Sequence, residues 1–290
     1  MQIIRTVDEM RETSGKIRRQ GLGIGLVPTM GALHAGHVSL VTKAAERSEV
    51  VVVSIFVNPL QFGPGEDFER YPRSLSDDVE IASSAGAHIV FAPAVEEMYP
   101  DGAMDTRIEV GQIAHVLCGR SRPTHFSGVA TVVAKLFHMI EPERAYFGAK
   151  DAQQIAVIRR MVRDLSLNVE VVRLPTVREP SGLALSSRNR YLTEDQHRQA
   201  AAISGGLKLA EDAYRGGERR QSTLLGLVSM RLRDAGIAPE YVELCAWDSL
   251  VGLPSSLPEV PCLLAVAARV GQARLIDNVV LTPSGGAPGH

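Results

Sequence analysis

Cysteine is scarce in this sequence, and long apolar runs are missing. The three cysteines, Cys118, Cys245 and Cys262, are far apart and form no C-x-x-C pair. That pattern argues against a disulfide framework and a zinc knuckle, and is typical of a reducing cytosol. No apolar run approaches the ~18 residues of a membrane span, and the stretch MQIIRTVDEM carries charges from Arg5 onward instead of the apolar centre of a signal peptide. We therefore expect a cytoplasmic protein with no membrane partner.

Neither sign of charge is in excess. The 290 residues include 31 Lys and Arg against 33 Asp and Glu, a formal net charge of −2. A nucleic-acid partner normally requires a strongly basic surface, so we expect none. The sequence also lacks the P-loop G-x-x-x-x-G-K-[ST], the dinucleotide-binding G-x-G-x-x-G, the zinc-binding H-E-x-x-H and the hydrolase G-x-S-x-G. These absences argue against the sites that those motifs build.

Up to about residue 176, short β-branched runs alternate with helical patterns. The predicted strands are Ile24–Thr29, Val50–Val57, Ala87–Ala92, Arg144–Gly148 and Val169–Leu174. The predicted helices are Gly36–Glu46, Ser74–Ser84, Ser127–Ile140 and Ala152–Leu165. Continuous apolar strands separated by helices indicate a parallel sheet covered on both faces, so we predict an α/β fold with a doubly wound (Rossmann-like) sheet. Ligands of such sheets bind at the carboxyl ends of the strands.

A change in composition follows, because Pro175–Arg190 (PTVREPSGLALSSRNR) is rich in proline, serine, glycine and charge. Beyond it we predict two helices and three strands, at Glu194–Tyr214, Gln221–Ala235, Tyr241–Cys245, Leu263–Val270 and Ala273–Val280. This pattern predicts a second, smaller α+β domain. We place the domains at 1–176 and 177–290, with a disordered tail at 283–290.

The stretch PTMGALHAGH lies where the first predicted strand gives way to a helix. His34 and His37 could bind a metal, but no third ligand is close in sequence, so we expect no metal site. They could also simply pack in the turn. Alternatively, a helix that begins near Gly36 directs free N–H groups at the sheet edge and offers an anion site, which Gly31 and Gly36 let a phosphate approach. Residue chemistry alone leaves the packed turn and the phosphate site about equal.

Two motifs together favour the phosphate site. H-x-G-H after the first strand is the signature of a nucleotidyl-transferring superfamily that includes class I aminoacyl-tRNA synthetases. Its members usually carry a second, cationic serine-containing loop late in the sheet, and LSSRNR at Leu185–Arg190 matches that loop. A match to both is far more specific than a match to either one.

Five segments in order, VPTMGALHAGH, SIFVNPLQF, RPTHFSGVATVVAKLF, YFGAKDAQQ and LALSSRNRYL, closely resemble the pantothenate synthetase (pantoate–β-alanine ligase) family. The resemblance covers about Leu26 to Leu192. It implies an ATP-dependent ligase that joins pantoate to β-alanine through a pantoyl adenylate, uses Mg²⁺ with ATP and forms a homodimer. The near-neutral net charge argues against the rival interpretation, an aminoacyl-tRNA synthetase of the same superfamily. A non-catalytic nucleotide-binding protein or another nucleotidylyltransferase remains an alternative.

The resemblance also implies site residues. His37 corresponds to the proton donor, with His34, Lys150 and Arg188 as its catalytic partners, and Gln61 and Gln154 correspond to the glutamines that hold pantoate, with Gln61 also near β-alanine. The residues that match the ATP-binding positions are Met30, Gly31, Ala32, Leu33, His34, Ala35, Gly36, His37, Gly148, Ala149, Lys150, Asp151, Val177, Leu185, Ser186, Ser187 and Arg188. No protein ligand for the metal is implied.

Some positions depart from the family pattern. An acidic residue, a glycine and a methionine are common where this sequence has Ala35, Thr124 and Leu185; the last exchange nearly conserves volume. Asp77 and Asp78 are either charge stabilisers of a helix start or contacts of Mg²⁺. The loop Asn58–Pro72 is long enough to act as a lid over a labile intermediate.

Overall fold

A computed structural model describes residues 1–102 and 105–283. Apart from residue 283, the predicted disordered tail therefore lies outside the described residues. The chain divides into two compact units. The first comprises Met1–His115, Gly119–Ala149 and Val157–Pro175, and the second comprises Val116–Cys118, Lys150–Ala156 and the chain from Thr176 onward. The segment Lys150–Ala156 thus groups with the second unit, although it precedes residue 176.

Strands and helices alternate along most of the chain. The strands are β1 Gln2–Ile4, β2 Ile24–Thr29, β3 Val50–Ile55, β4 Ile89–Phe91, β5 Arg144–Gly148, β6 Glu170–Leu174, β7 Pro239–Ala246, β8 Cys262–Val270 and β9 Ala273–Leu281. The helices are α1 Val7–Arg19, α2 Ala35–Arg47, α3 Leu75–Ser84, α4 Val95–Met98, α5 Cys118–Ser121, α6 His125–Ile140, α7 Ala152–Asp164, α8 Glu194–Arg215 and α9 Gln221–Asp234. Short 3₁₀ turns lie at Pro59–Gln61, Gln112–Ala114, Ala149–Asp151 and Ser187–Tyr191. None of the helices in the described ranges is long and apolar enough to cross a membrane.

The first unit contains a six-stranded parallel sheet in the order β1-β4-β3-β2-β5-β6. Val27, Val51 and Val53 pack with residues of α2 and α3 on one face of the sheet. Helices α1 and α6 contact β2, and alternate residues such as Leu26 are buried on the opposite face. Strands covered on both faces are apolar throughout, which is why the sequence shows continuous runs. The predicted doubly wound α/β fold is confirmed.

The strand order places a topological switch point at β2. The chain passes from β2 to β3 on one side and later returns to β5 on the other side, with Gly25 paired to Arg144. The loops that follow β2 and β5 leave the same edge of the sheet in opposite directions. A crevice opens between such loops, and it is the usual ligand site of this architecture.

Differences from the predicted elements lie at the ends of strands, near the N-terminus and in two short helices. β3 ends at Ile55, two residues early, because the chain turns into the Pro59–Gln61 turn that Asn58 caps. β1, α1 and the four-residue helices α4 and α5 are not among the predicted elements. Helix α1 is mostly polar, so few apolar residues mark it in the sequence. It is stabilised at its ends, by Thr6 as the N-cap, two acidic residues in the first turn and basic residues in the last.

The second unit has an antiparallel sheet in the order β7-β8-β9. The central strand β8 is buried except for Arg269, and it packs with residues of α8 and α9 in one core. Helix α8 begins with a capping box, in which Thr193 and Gln196 each accept from the other's main-chain amide. The three strands and two long helices that the sequence predicts in this region are all present.

Candidate active site

The loop Met30–His37 leaves the carboxyl end of β2 in an unusual conformation. Gly31 and Ala32 both have positive φ, 81° and 51°. Thr29 Oγ1 accepts from the amide of Gly31 at 3.1 Å and donates to the carbonyl of Ser54 on β3 at 2.7 Å. The loop therefore begins with a turn that a neighbouring strand anchors.

Asp78, in the first turn of α3, closes this loop from the side. Its side chain is 2% exposed, and its two oxygens accept from the amides of Ala32 at 2.9 Å and Leu33 at 2.7 Å. Asp77 instead accepts from the hydroxyls of Ser74 and Ser76. The pairing of Asp78 with the loop is a role that the sequence did not indicate, since Asp78 lies 45 positions from Leu33.

The two histidines form a reciprocal cap at the start of α2. His34 Nδ1 accepts from the amide of Gly36 at 3.1 Å, and His37 Nδ1 accepts from the amide of His34 at 3.3 Å. The rings lie 4.2 Å apart between centroids. A Cβ at Gly36 would lie 2.8 Å from the His34 ring, which explains the glycine of H-x-G-H. Because each Nδ1 accepts, the proton of each neutral ring is on Nε2, and that N–H can serve as a donor.

A metal site at this turn would need more ligands than the histidines. Within residues 1–102 and 105–283, no group of three or more His, Cys, Asp or Glu side chains could hold a metal ion. The two Nδ1 atoms are also engaged with main-chain amides. The turn therefore presents N–H donors at a helix N-terminus, an arrangement that suits an anion.

Gln61 lies against this loop and is almost fully buried, with 7% of its surface exposed. Its Nε2 donates to the sulfur of Met30 at 2.8 Å, and its Oε1 accepts from Asn58 Nδ2 at 3.1 Å. Asn58 is fully buried and also bonds the carbonyl of Gly128 at 3.0 Å and the hydroxyl of Tyr99 at 2.7 Å. Burial raises the pKa of Tyr99, so this hydroxyl stays protonated and donates to Asn58. Asn58 thus fixes the amide of Gln61.

The RPTHF segment supports the main chain of Gln61. The carbonyl oxygen of Gln61 accepts hydrogen bonds from Arg122 Nη2 at 3.2 Å and His125 Nδ1 at 2.8 Å. Arg122 also forms a bidentate ion pair with Glu66 at 2.6 and 2.7 Å. Burial by itself would raise the pKa of Glu66, but the hydrogen bonds and charge of Arg122 outweigh it and hold that pKa below its usual value. The ion pair anchors part of the predicted lid, Asn58–Pro72, beside Gln61.

In the second unit, Val177 and Leu185 are neighbours. The amide of Leu185 donates to the carbonyl of Val177 at 3.0 Å, and Arg178 and Ala184 form an antiparallel bridge inside them. Ser186 then caps the Ser187–Tyr191 turn by accepting from the amide of Arg188 at 3.3 Å. The predicted serine loop is therefore a hairpin end followed by a capped turn.

Two contacts hold these segments within the second unit. Asn278 Nδ2 on β9 donates to the carbonyl of Lys150 at 2.8 Å. Arg178 pairs with both oxygens of Asp277 at 2.6 and 3.0 Å. Adjacent residues of β9 therefore support the stretch that contains Lys150 and the hairpin that contains Val177. Gln154 follows Lys150 by about one helical turn.

The residues predicted for the site form two sets. The first unit brings Met30–His37 beside Gln61 and places Gly148 at the end of β5, the strand next to β2. The second unit holds Lys150, Val177 and the serine loop. The sequence did not indicate these contacts of Asp78, Asn58 and Arg122, because they join residues 45 to 70 positions apart.

The departures from the family pattern fit their surroundings. Ala35 is exposed in the first turn of α2, where an acidic side chain would only add charge next to the helix dipole. Thr124 has an ordinary φ of −96° and precedes α6, so its position does not require glycine. Leu185 is partly buried beside Val177.

Comparisons with known proteins agree with the geometry. The family model described as Pantoate-beta-alanine ligase matches residues 2–280. The chain is 50% identical over 285 residues to the pantothenate synthetase of Moorella thermoacetica, covering 97% of this chain and 99% of the relative. Among solved structures, the pantothenate synthetase from Thermus thermophilus matches with a TM-score of 0.88 and 45% identity, covering 98% of this chain and 100% of that one. The pantoate-beta-alanine ligase from Francisella tularensis, complexed with beta-gamma ATP and beta-alanine, has a TM-score of 0.80 and 36% identity, with 97% of each chain covered.

Proposed function

The chain belongs to the pantoate–β-alanine ligase family, and we propose that it condenses pantoate with β-alanine in two steps. The pantoate carboxylate attacks the α-phosphate of ATP and releases pyrophosphate. The amine of β-alanine then attacks the carbonyl of the pantoyl adenylate and releases AMP. The observation that carries this proposal is the capped H-x-G-H turn at the switch point of the sheet, with the buried Gln61 in contact with it.

Each unit contributes residues for ATP in this proposal: the first unit the loop that follows β2 and the end of β5, and the second unit Lys150 and the serine loop. The Nε2–H groups of His34 and His37 bind phosphate oxygens at the N-terminus of α2, where the helix dipole favours negative charge. Lys150 and Arg188 offset the charge that develops as pyrophosphate leaves. Gly148–Asp151, at the end of β5, also bind the nucleotide. Val177 and Leu185 contact the adenine. The pairing of Val177 with Leu185 supports this assignment, because it builds a small, partly apolar surface.

The two glutamines hold pantoate in this proposal. Pantoate carries hydroxyls and a carboxylate, and an amide offers both a donor and an acceptor to such groups. The Asn58 contact fixes the orientation of the Gln61 amide, and such preorganisation favours catalysis by positioning. Gln61 also lies near β-alanine, and Gln154 binds pantoate from α7.

Mg²⁺ would enter with ATP and would be held by phosphate oxygens and water, as is usual for this ion. The carboxylates near the loop fit that arrangement, because both oxygens of Asp78 accept main-chain amides and Asp77 accepts two hydroxyls. The bound ion would neutralise phosphate charge. We further propose that the enzyme works in the cytoplasm as a homodimer.

Isotope exchange tests the two-step reaction. Enzyme, Mg²⁺, ATP and pantoate should exchange labelled pyrophosphate into ATP without β-alanine, because adenylation precedes the need for the amine. ATP and β-alanine without pantoate should give no exchange. The complete reaction should release AMP and pyrophosphate. Release of ADP, or exchange that strictly requires β-alanine, would contradict the adenylate.

Replacing Lys150 and replacing Gln154 should change the kinetic constants for different substrates. Lys150→Ala should lower kcat/KM for ATP about 10- to 100-fold, since it removes a charged donor to phosphate. Gln154→Ala should raise the KM for pantoate about 2- to 10-fold, since it removes neutral hydrogen bonds. Steady-state kinetics with each substrate varied in turn would measure both effects. If each variant impaired both substrates equally, this division would be wrong.

A further inference from the structure

The Met30–His37 loop requires a support that its own residues do not provide. Gly31 and Ala32 are consecutive residues with positive φ, and the left-handed region is unfavourable for an alanine. The same turn directs the amides of Ala32 and Leu33 away from any helix, so they need acceptors of their own. Both are satisfied by one side chain, that of Asp78.

We propose that Asp78 is a positioning residue for the adenylation step: its carboxylate holds the Met30–His37 loop in the conformation that presents His34, His37 and the start of α2 to the ATP phosphates. This inference rests on the proposed function. Asp78 itself does not contact the substrate; it acts through the two amides.

The geometry requires a carboxylate at this position. Two consecutive amides donate to two different oxygens, at 2.9 and 2.7 Å, so each oxygen must be an acceptor. An asparagine would supply one oxygen, and its NH₂ group would meet the other N–H donor to donor. Hydrogen bonds to a charged acceptor are also stronger than those to a neutral one.

The surrounding residues are matched to this contact. A Cβ at Gly31 would lie 2.7 Å from Asp78 Oδ2, so the glycine lets the carboxylate approach. Helix α3 starts at Leu75 and places Asp78 in its first turn, where the positive end of the helix dipole favours the buried charge. A negative charge near a triphosphate would weaken ATP binding through repulsion. The Asp78 carboxylate is therefore better explained by its hydrogen bonds to the loop than by direct binding of ATP.

The Asp78→Asn variant tests the proposal, with Glu80→Gln as the matched control, since Glu80 is an exposed carboxylate on the same helix. We expect Asp78→Asn to lower kcat/KM for ATP in pyrophosphate exchange about 10- to 100-fold, with the KM for β-alanine and the Mg²⁺ concentration for half-maximal rate unchanged. Glu80→Gln should match the wild type. Unchanged ATP kinetics in Asp78→Asn, or equal losses for all substrates, would overturn the proposal. A higher Mg²⁺ requirement would also overturn it, in favour of metal binding.

Amide hydrogen exchange in the wild-type protein provides a test that does not depend on the folding of any variant. The amides of Ala32 and Leu33 should exchange slowly in the absence of ATP, because the Asp78 carboxylate protects them. Exchange as fast as that of an exposed loop would overturn the proposal. A wild-type protein without pyrophosphate exchange but with protected amides would contradict the proposed reaction alone, so the two failures are distinguishable.

Discussion

Replacing His37 with alanine should lower kcat/KM for ATP in pantothenate formation by roughly 10²–10³, the scale of losing one preorganised donor at a developing charge. The ring is oriented before substrate arrives, because its Nδ1 accepts from the amide of His34 at 3.3 Å. That bond leaves the proton of the neutral ring on Nε2. The initial rate of pyrophosphate exchange would measure the loss in the adenylation step itself.

A second variant separates catalysis from helix capping. His37 stands at the third residue of α2, where glutamine commonly completes a capping box. His37→Gln should therefore keep the cap and a melting temperature close to that of the wild type, yet still lose most of the activity. Activity near the wild-type value in both His37→Ala and His37→Gln would remove His37 from the mechanism. A recovery of activity in His37→Gln alone would assign it only the structural role.

The central strands and the turns that follow them were predictable because local sequence determines them. The apolar run Ile24–Val27 must lie in the middle of a covered sheet, and the H-x-G-H motif marks the helix start that follows. The need for glycine at position 36 is also local, since its neighbour His34 occupies the space of a Cβ. Such features depend on residues a few positions apart.

The supports of the site were not predictable in the same way. Asp78 reads from sequence as an ordinary acidic residue at a helix start, and Asn58 as an ordinary turn residue before proline. Their partners lie 45 and 70 positions away, and only the packing of the sheet and helices brings them together. The residue type alone does not show whether an aspartate or asparagine side chain is buried and hydrogen-bonded or exposed to solvent.

Gly128 shows how closely the fold and the site are linked. It lies in the first turn of α6, and a Cβ there would meet the carbonyl oxygen of Leu60 at 2.3 Å and the amide nitrogen of Gln61 at 2.7 Å. Both are main-chain atoms, so no rotamer change can relieve the clash. Helix α6 and the Pro59–Gln61 turn would have to separate, which would break the bond from Asn58 to the carbonyl of Gly128.

Gly128→Ala should therefore destabilise the protein by about 3 kcal/mol or more, as overpacking against a rigid neighbour does. Where the variant still folds, kcat/KM for pantoate should fall roughly 10²-fold, because a shift of about 1 Å in a binding group can have that effect. Denaturant unfolding and pantoate kinetics would measure the two losses.

Gly15→Ala is the matched control for this prediction. Gly15 lies inside helix α1 of the same unit, and a Cβ there would approach only the mobile end of Arg19, at 3.3 Å. Alanine has the higher helix propensity, so this variant should gain up to about 1 kcal/mol of stability and keep its activity. The same substitution in two helices thus has opposite expected signs, since one glycine adjoins the main chain of Gln61 and the other adjoins a flexible side chain. If Gly128→Ala were as stable and active as Gly15→Ala, the close approach of α6 to Gln61 would not control the proposed pantoate site.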